Sequence, residues 1–354
     1  MKRFSEQAEY ALMVIELDER EVRGVIRVPN IKEIAQLAGV SVSTVSRVLN
    51  NHKYVNEQKR ARVLQIIEEH NYIQNSNAVH LSTGKTKVLG VTLPMVNNQY
   101  YSTILEGIAA EAALHDYKMM VCQTNNSLEH ERSILQLLTN KKIDGLIMFS
   151  RANSCDTLTE YAEYGPIITC EANDTTTVSS VHIDHYQTFL IGMEYLIQKG
   201  HRRIGYCLGR KNSFNSQHRK RAYEENLRSI GMTPDPEWAF EDCVTIQDGM
   251  EVASKLMQLE NRPTAMIVSC NHIAAGLYKE ASRLGLNIPQ DIAIIGCDDQ
   301  PIGELLEITT VSSSSKQMGK YAFEMLHERI INQGKVWGKE EQVLLPVLVE
   351  RKST

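Results

Sequence analysis

The stretch IKEIAQLAGVSVSTVSRVL, residues 31–49, restricts this chain more than any other. Ile31, Ile34, Ala35 and Ala38 recur at helical spacing and give a first helix one apolar face. Asn30 stands where an N-cap belongs. Gly39 follows, at a point where the chain must turn sharply and glycine enters the left-handed region without strain. Ala35 is small enough to let a second helix approach, and Ser41 is placed to cap that helix. Val45, Val48 and Leu49 turn inward, leaving Ser43, Thr44, Ser46 and Arg47 outside. A core hairpin has no need of a polar, Arg-bearing outer face. A helix-turn-helix does, because its first helix braces the second in the major groove of DNA.

A third helix is expected from a cap at Asn56 to about His70, with Ala61, Val63, Leu64, Ile66 and Ile67 as its apolar set. Val40-Ser41-Val42-Ser43-Thr44-Val45-Ser46-Arg47-Val48-Leu49-Asn50 is followed by Asn71-Tyr72-Ile73. Then come Asn75, Ala78 and Leu81 at three-residue steps, and Gly84-Lys85. In these motifs the chain resembles the LacI/GalR (lactose-repressor) family of bacterial transcription regulators. The likeness covers roughly residues 30–354.

Beyond residue 86 the chain alternates strands with helices. Val88–Leu93, Lys118–Cys122, Ile143–Phe149 and Ile167–Cys170 read as strands, with a helix near Tyr101–Leu114. Helices over 187–199, 219–230, 248–259 and 272–284 then alternate with strands over 203–208, 264–269 and 291–296. Two rounds of this pattern predict two doubly wound parallel-sheet lobes, with ligands beyond the carboxyl ends of the strands. The fold class is therefore an all-α helix-turn-helix head plus an α/β body. The body resembles the periplasmic-binding-protein type in Asp144-Gly145-Leu146-Ile147, Gly200-His201-Arg202-Arg203-Ile204, Arg219 with Tyr223, and Ile295-Gly296-Cys297-Asp298-Asp299. The resemblance implies an N-terminal extension (1–27), a DNA-binding domain (28–74), a hinge helix and linker (75–85) and an effector-binding, dimerising body (86–354). Its N-lobe would be about 86–183 plus 316–342, and its C-lobe about 184–315 plus 343–354.

Charge and composition agree with that division. Residues 28–85 hold seven Lys or Arg against four acids, while the whole chain carries −5. A basic head on an acidic body keeps phosphate attraction local to the head. Seven scattered cysteines without a C-x-x-C pair suit reduced thiols better than disulfides or zinc. No apolar run is long enough to span a bilayer and no export signal stands at the start, so a cytoplasmic, nucleoid-associated location is expected. Arg23-Gly24-Val25 is what a purine-rich ribosome-binding site would encode, and Val28 a GTG start, so residues 1–27 are expected to be dispensable for DNA binding.

By the resemblance, Val42, Ser43 and Arg47 would face base edges, Arg47 bridging the two guanine acceptors. Ser41, Thr44, Ser46 and Asn50 would take phosphates, which fix register. Asn75, Ala78 and Leu81 would lie on a hinge helix too short to stand alone. Paired across a dimer in the minor groove, it would place Ala78 at the close contact and Leu81 as the wedge. Gln74 replaces the proline common before the hinge Asn.

Three chemical alternatives fail on spacing. Gly84-Lys85-Thr86 lacks the phosphate-loop glycine five residues earlier, where Val79 stands. No hydrolase or metalloprotease motif occurs, so no enzyme and no cofactor is expected. His182-x-Asp184-His185 reads as a helix start rather than a metal site.

The family's effector pocket maps onto Arg219 and Asp298, then Glu171, Asn98, Tyr100, Tyr101 and Asn271. Three departures stand out: His272 in an Asn-Asp pair, Gln99 for a first-loop proline, and Val244 for a stacking aromatic. The expectation is a repressor of a pseudo-palindromic operator, homodimeric because no heptad tail follows the last strand. A small polar ligand, a sugar or sugar derivative, would control it. Control by a protein partner and a two-lobe solute-binding protein are the alternatives.

Overall fold

The computed structural model describes residues 29–74, 84–312, 314–332 and 334–354. It divides into two compact units, Met1–Lys85 and Thr86–Thr354.

Among the described residues of the first unit are three helices, α1 (Ile31–Ala38), α2 (Val42–Leu49) and α3 (Glu57–Glu69). Asn30 caps α1 in a full capping box: its side chain accepts from the Lys32 and Glu33 amides, and Glu33 accepts from the Asn30 amide at 2.9 Å. Gly39 ends α1 in the left-handed region, at φ 66°. Ile34, Ala35, Val45, Val48, Val63 and Ile66 make the core. Ala61 and Leu64, expected inside, face solvent on α3, because three short helices can enclose only one stripe of it.

In the second unit a parallel sheet of order β11-β5-β4-β3-β1-β2 forms one lobe. Its strands are β1 (Val88–Leu93), β2 (Lys118–Gln123), β3 (Gly145–Met148), β4 (Ile167–Thr169), β5 (Ser179–Ile183) and β11 (Glu341–Leu344). Helices α4 (Gln99–Leu114), α5 (Leu128–Thr139), α6 (Cys155–Ala162) and α12 (Ser315–Ile331) belong with it. The other lobe has order β12-β10-β9-β8-β6-β7, parallel apart from β12. It comprises β6 (Ile204–Cys207), β7 (Ala239–Phe240), β8 (Ala265–Val268), β9 (Ala293–Cys297), β10 (Thr309–Ser312) and β12 (Val347–Val349). Around it lie α7 (His185–Gln198), α8 (Phe214–Ser229), α9 (Ile246–Leu256), α10 (Asn271–Arg283) and α11 (Pro301–Leu305). No helix among the described residues is long and apolar enough to cross a membrane.

The chain passes between lobes after β5, between β10 and α12, and between β11 and β12. Val343 and Leu344 still pair with His182 and Ile183, so the last crossing falls at Leu345–Pro346, later than the sequence placed it. Both lobes use the same close helix pair. A Cβ on Gly107 of α4 would sit 2.1 Å from the Lys316 carbonyl, and one on Gly319 of α12 2.0 Å from that of Ile104. Gly249 of α9 and Gly276 of α10 repeat the arrangement against Ile273 and Ile246. Only glycine lets these backbones meet, and each pair positions a lobe's cavity-facing loops.

Candidate functional site

On α2, Ser41, Val42, Ser43, Arg47 and Asn50 are exposed, and Thr44 and Ser46 half-buried. Ser41 caps the helix by accepting from the Thr44 amide at 3.2 Å. Its hydroxyl also lies 2.9 Å from those of Ser43 and Thr44, so three hydroxyls cluster at the helix start. That end carries the helix's free N–H groups and positive dipole, a favourable place for phosphate. Asn75, Ala78 and Leu81 lie outside the described residues.

The second site is a cavity of about 190 Å³ between the two lobes of the body. Loops following β1, β3 and β4 supply one wall, and those following β6, β8 and β9 supply much of the other. Of the residues expected there, Asn98, Tyr100, Tyr101, Glu171, Arg219 and Asp298 line it. Asn98 caps α4 by accepting from the Tyr100 amide at 3.0 Å, which turns both tyrosines toward the cavity. Tyr101 stacks on Phe149, ring centroids 6.0 Å apart. Burial raises both phenols above their ordinary pKa, so they remain hydrogen-bond donors.

Asn271 does not line the cavity. It is fully buried at the start of α10, where its Oδ1 accepts from the Gln300 amide and the Thr310 hydroxyl. Packed against Gly296 and Gly303, it braces the ends of β9 and β10. Its neighbour His272 faces the cavity instead, with Nε2 donating to the Val244 carbonyl at 2.8 Å.

Each end of the cavity carries one acid and one base. At one end Glu171 accepts from the Arg151 amide at 3.3 Å and from Asn215 Nδ2 at 3.2 Å. Burial pushes its carboxyl above the usual glutamate range, with hydrogen bonds from Ser150 and the Arg151 amide opposing. Arg210 reaches Ser150 Oγ at 3.1 Å. Asn215–Glu171 and Arg210–Ser150 both join one lobe to the other.

At the other end stand Arg219 and Asp298. Asp298 follows β9 with left-handed backbone, φ 79°, and Asp299 follows at φ 50°. Aspartate tolerates that region, and the turn aims Asp298 at the cavity. Arg219 donates Nη2–H to His185 Nδ1 at 3.0 Å, which leaves the His185 proton on Nε2. Burial first, then the Arg219 charge, hold His185 well below the ordinary histidine pKa, so it is neutral. Arg219 Nε has no hydrogen-bond partner among the described residues. Asp184 caps α7 through the Gln187 amide, and His182 pairs with Ser180, so the histidines around Asp184 serve separate contacts.

Residues 30–75 match the model for bacterial regulatory proteins, lacI family, and residues 193–354 match a periplasmic binding protein-like domain. The uncharacterized HTH-type transcriptional regulator YkvZ of Bacillus subtilis (strain 168) is 40% identical over 322 residues, 91% of this chain and 98% of that protein. The chain belongs to the LacI family. It is a transcription regulator, not an enzyme. The lac repressor dimer bound to operator and the anti-inducer ONPF shares the fold of this LacI-family chain at TM-score 0.81 and 23% identity, over 93% of this chain and 99% of that one. A LacI family regulator from Lactobacillus casei with bound glucose aligns at TM-score 0.69 and 25% identity, over 75% of this chain and 99% of its own.

Ser150, His185, Arg210 and Asn215 also line the cavity of this LacI-family regulator, and motif reading missed them; His272, noted as a departure at a pocket position, lines it too. Ser150 and Arg210 were findable, because each lies just past the carboxyl end of a central strand, where open sheets bind ligands. His185 and Asn215 reach the cavity from helix starts, which spacing alone does not reveal.

Proposed function

We propose that this LacI-family regulator represses transcription from a pseudo-palindromic operator as a homodimer, under control of a neutral, hydroxyl-rich ligand of about one sugar ring. The charge balance of the cavity carries the ligand assignment. Arg210 and Arg219 face Glu171 and Asp298 across a wall in which His185 is neutral. A net charge on the ligand would go unmatched in that buried setting, whereas hydroxyls both donate to the acids and accept from the guanidiniums. The deep chamber is smaller than the roughly 300–1,000 Å³ of drug-sized pockets, which favours a single ring. The glucose-bound Lactobacillus casei regulator supports the same class.

At the DNA, Val42, Ser43 and Arg47 read bases, while Ser41, Thr44, Ser46 and Asn50 hold phosphates. Asn75, Ala78 and Leu81 form the paired hinge, with Leu81 as the wedge. For the dimer we place a second chain against the face that exposes Ile246 and Leu305. The ligand acts by binding one lobe arrangement better than another.

Calorimetry against neutral monosaccharides and their phosphates tests the assignment. A neutral sugar should bind, and Arg219→Ala or Asp298→Ala should weaken it tenfold or more, since a charge-assisted hydrogen bond contributes about 1.5–3 kcal/mol. Binding of a phosphorylated sugar alone would overturn the neutral-ligand reading. Silence from both sets would move control to a protein partner.

A further inference from the structure

Three of the seven cysteines gather where β6, β7 and β8 end: Cys207, Cys243 and Cys270 share one buried cluster. The backbone brings two of them side by side. Cys207 pairs with Phe240 across the parallel β6–β7 contact. The chain then doubles back along the end of β6, with the Asp242 amide donating to the Gly209 carbonyl and the Cys243 amide to that of Leu208, each at 3.0 Å. The Cys243 thiol donates to the Glu241 carbonyl at 3.6 Å, with Cys207 in the same buried cluster.

Their access to solvent differs. Cys207 is 0% exposed and lines neither of the two cavities that Cys243, itself 7% exposed, borders. Cys243 borders two: the interlobe cavity, and on its other side a recess of about 420 Å³ lined by Asp242, Asp248, Glu251 and Lys255. A reachable thiol backed by a buried one is the layout of an attacking and a resolving cysteine. Lys255 lines the recess beside Cys243 and favours its thiolate, with Asp248 and Asp242 opposing.

We propose that Cys243 and Cys207 form an oxidant-reactive dithiol in the wall of the interlobe cavity, which hydroperoxides convert to a disulfide. The Cys243 thiolate attacks a peroxide oxygen, the O–O bond breaks, and the leaving oxygen takes a proton as water or alcohol. Cys243 becomes a sulfenic acid. The Cys207 sulfur then displaces that oxygen; the S–S bond forms, and hydroxide leaves with the Cys207 proton as water. In sum two thiols are oxidised and one peroxide is reduced by two electrons.

The consequence is local. Val244 follows Cys243 and lines the cavity; its carbonyl accepts from His272 and its amide donates to Asp248. A disulfide ties this segment to the end of β6, so oxidation reshapes the wall on which any ligand rests. Because the dithiol needs no ligand, the inference stands apart from the sugar assignment.

The test uses the full-length protein. Purified chain is treated with graded hydrogen peroxide, denatured, alkylated and mapped by mass spectrometry without reduction. The expected product is a peptide pair joining Cys207 to Cys243, lighter by two hydrogens, with the other five cysteines alkylated. A dithiol reductant should reverse it. Cys207→Ser should stop the chemistry at a Cys243 sulfenic acid that dimedone labels, and Cys243→Ser should remove both products. Cys155 is the strongest rival, since it is half-buried and its sulfur accepts from Arg151 Nη1 at 2.7 Å. Oxidation at Cys155 or Cys122 with Cys207 and Cys243 still alkylatable would overturn the proposal, as would linkage of Cys243 to Cys270.

Discussion

Arg47 and Arg219 present the same guanidinium in different settings. Arg47 stands exposed on α2 with solvent around it, free to fit a base edge. We expect Arg47→Ala to cost about 1–3 kcal/mol of operator binding and to relax one base position in each half-site. Gel shifts on a base-substituted operator series check this; equal weakening on all sequences would make Arg47 a phosphate contact. Arg219 is half-buried against a neutral imidazole, and that contact has a pH signature. The folded His185 has a depressed pKa, so below about pH 6.5 the unfolded chain takes up a proton that the folded chain refuses. Stability from this site is present above that value and is lost as pH falls toward the depressed one. Glu171 works in the opposite sense. Its raised pKa makes its contribution greatest at low pH, and that contribution declines as pH rises through the raised value. His182 and His201 share the sign of His185, so a variant is needed to isolate it. Melting temperature followed from neutral to about pH 5 should fall less in His185→Gln than in the wild type. Parallel curves would mean that His185 protonates freely in the fold.

Helix pairs set the shape of each lobe. At Gly276 a methyl group would lie 2.0 Å from the Ile246 carbonyl, and a backbone oxygen cannot step aside as a flexible side chain can. Alanine gains about 1 kcal/mol of helix propensity over glycine, yet separating α9 from α10 costs about 1–3 kcal/mol or more. The clash wins, so Gly276→Ala should lower the urea midpoint. Its counterpart Gly319→Ala, 2.0 Å from the Ile104 carbonyl, should do the same in the other lobe. An unchanged midpoint in both would show that the helices separate at little cost. The proposed hinge carries a different expectation. Leu81→Ala should preserve the fold while reducing operator bending, read on a bent-DNA gel; equal bending would remove the wedge.

For the whole molecule, the proposed two-fold operator would need two chains. Leu305 is 79% exposed and Ile246 46%, on the lobe whose groove continues to Met95. A carboxylate there would be desolvated in a dimer but solvated in a monomer. Leu305→Asp should therefore shift sedimentation from dimer to monomer and weaken operator binding with it. A variant that stays dimeric would place the interface on another face.

Local signals were legible wherever one residue type has few alternatives. Asn30, Gly39, Ser41 and Asn56 mark helix boundaries because caps and left-handed turns accept few side chains. The alternation of strand and helix announced two parallel sheets, and the family resemblance pointed to Asp298 and Glu171 at strand ends. Residues whose role depends on distant neighbours were not legible. β5 and β10 are short and buried, without the alternation that marks a half-exposed strand. Asn271 looks like a ligand contact in sequence, but packing against Gly296, Gly303 and Thr310 turns it inward. Bonds from Arg210 to Ser150 and from Asn215 to Glu171 join residues 60 and 44 positions apart. Sequence by itself determined most of the elements, the family and the chemistry offered at strand ends. Tertiary structure decided which of those groups meet, because side-chain direction and burial depend on what the other lobe brings to within hydrogen-bond range.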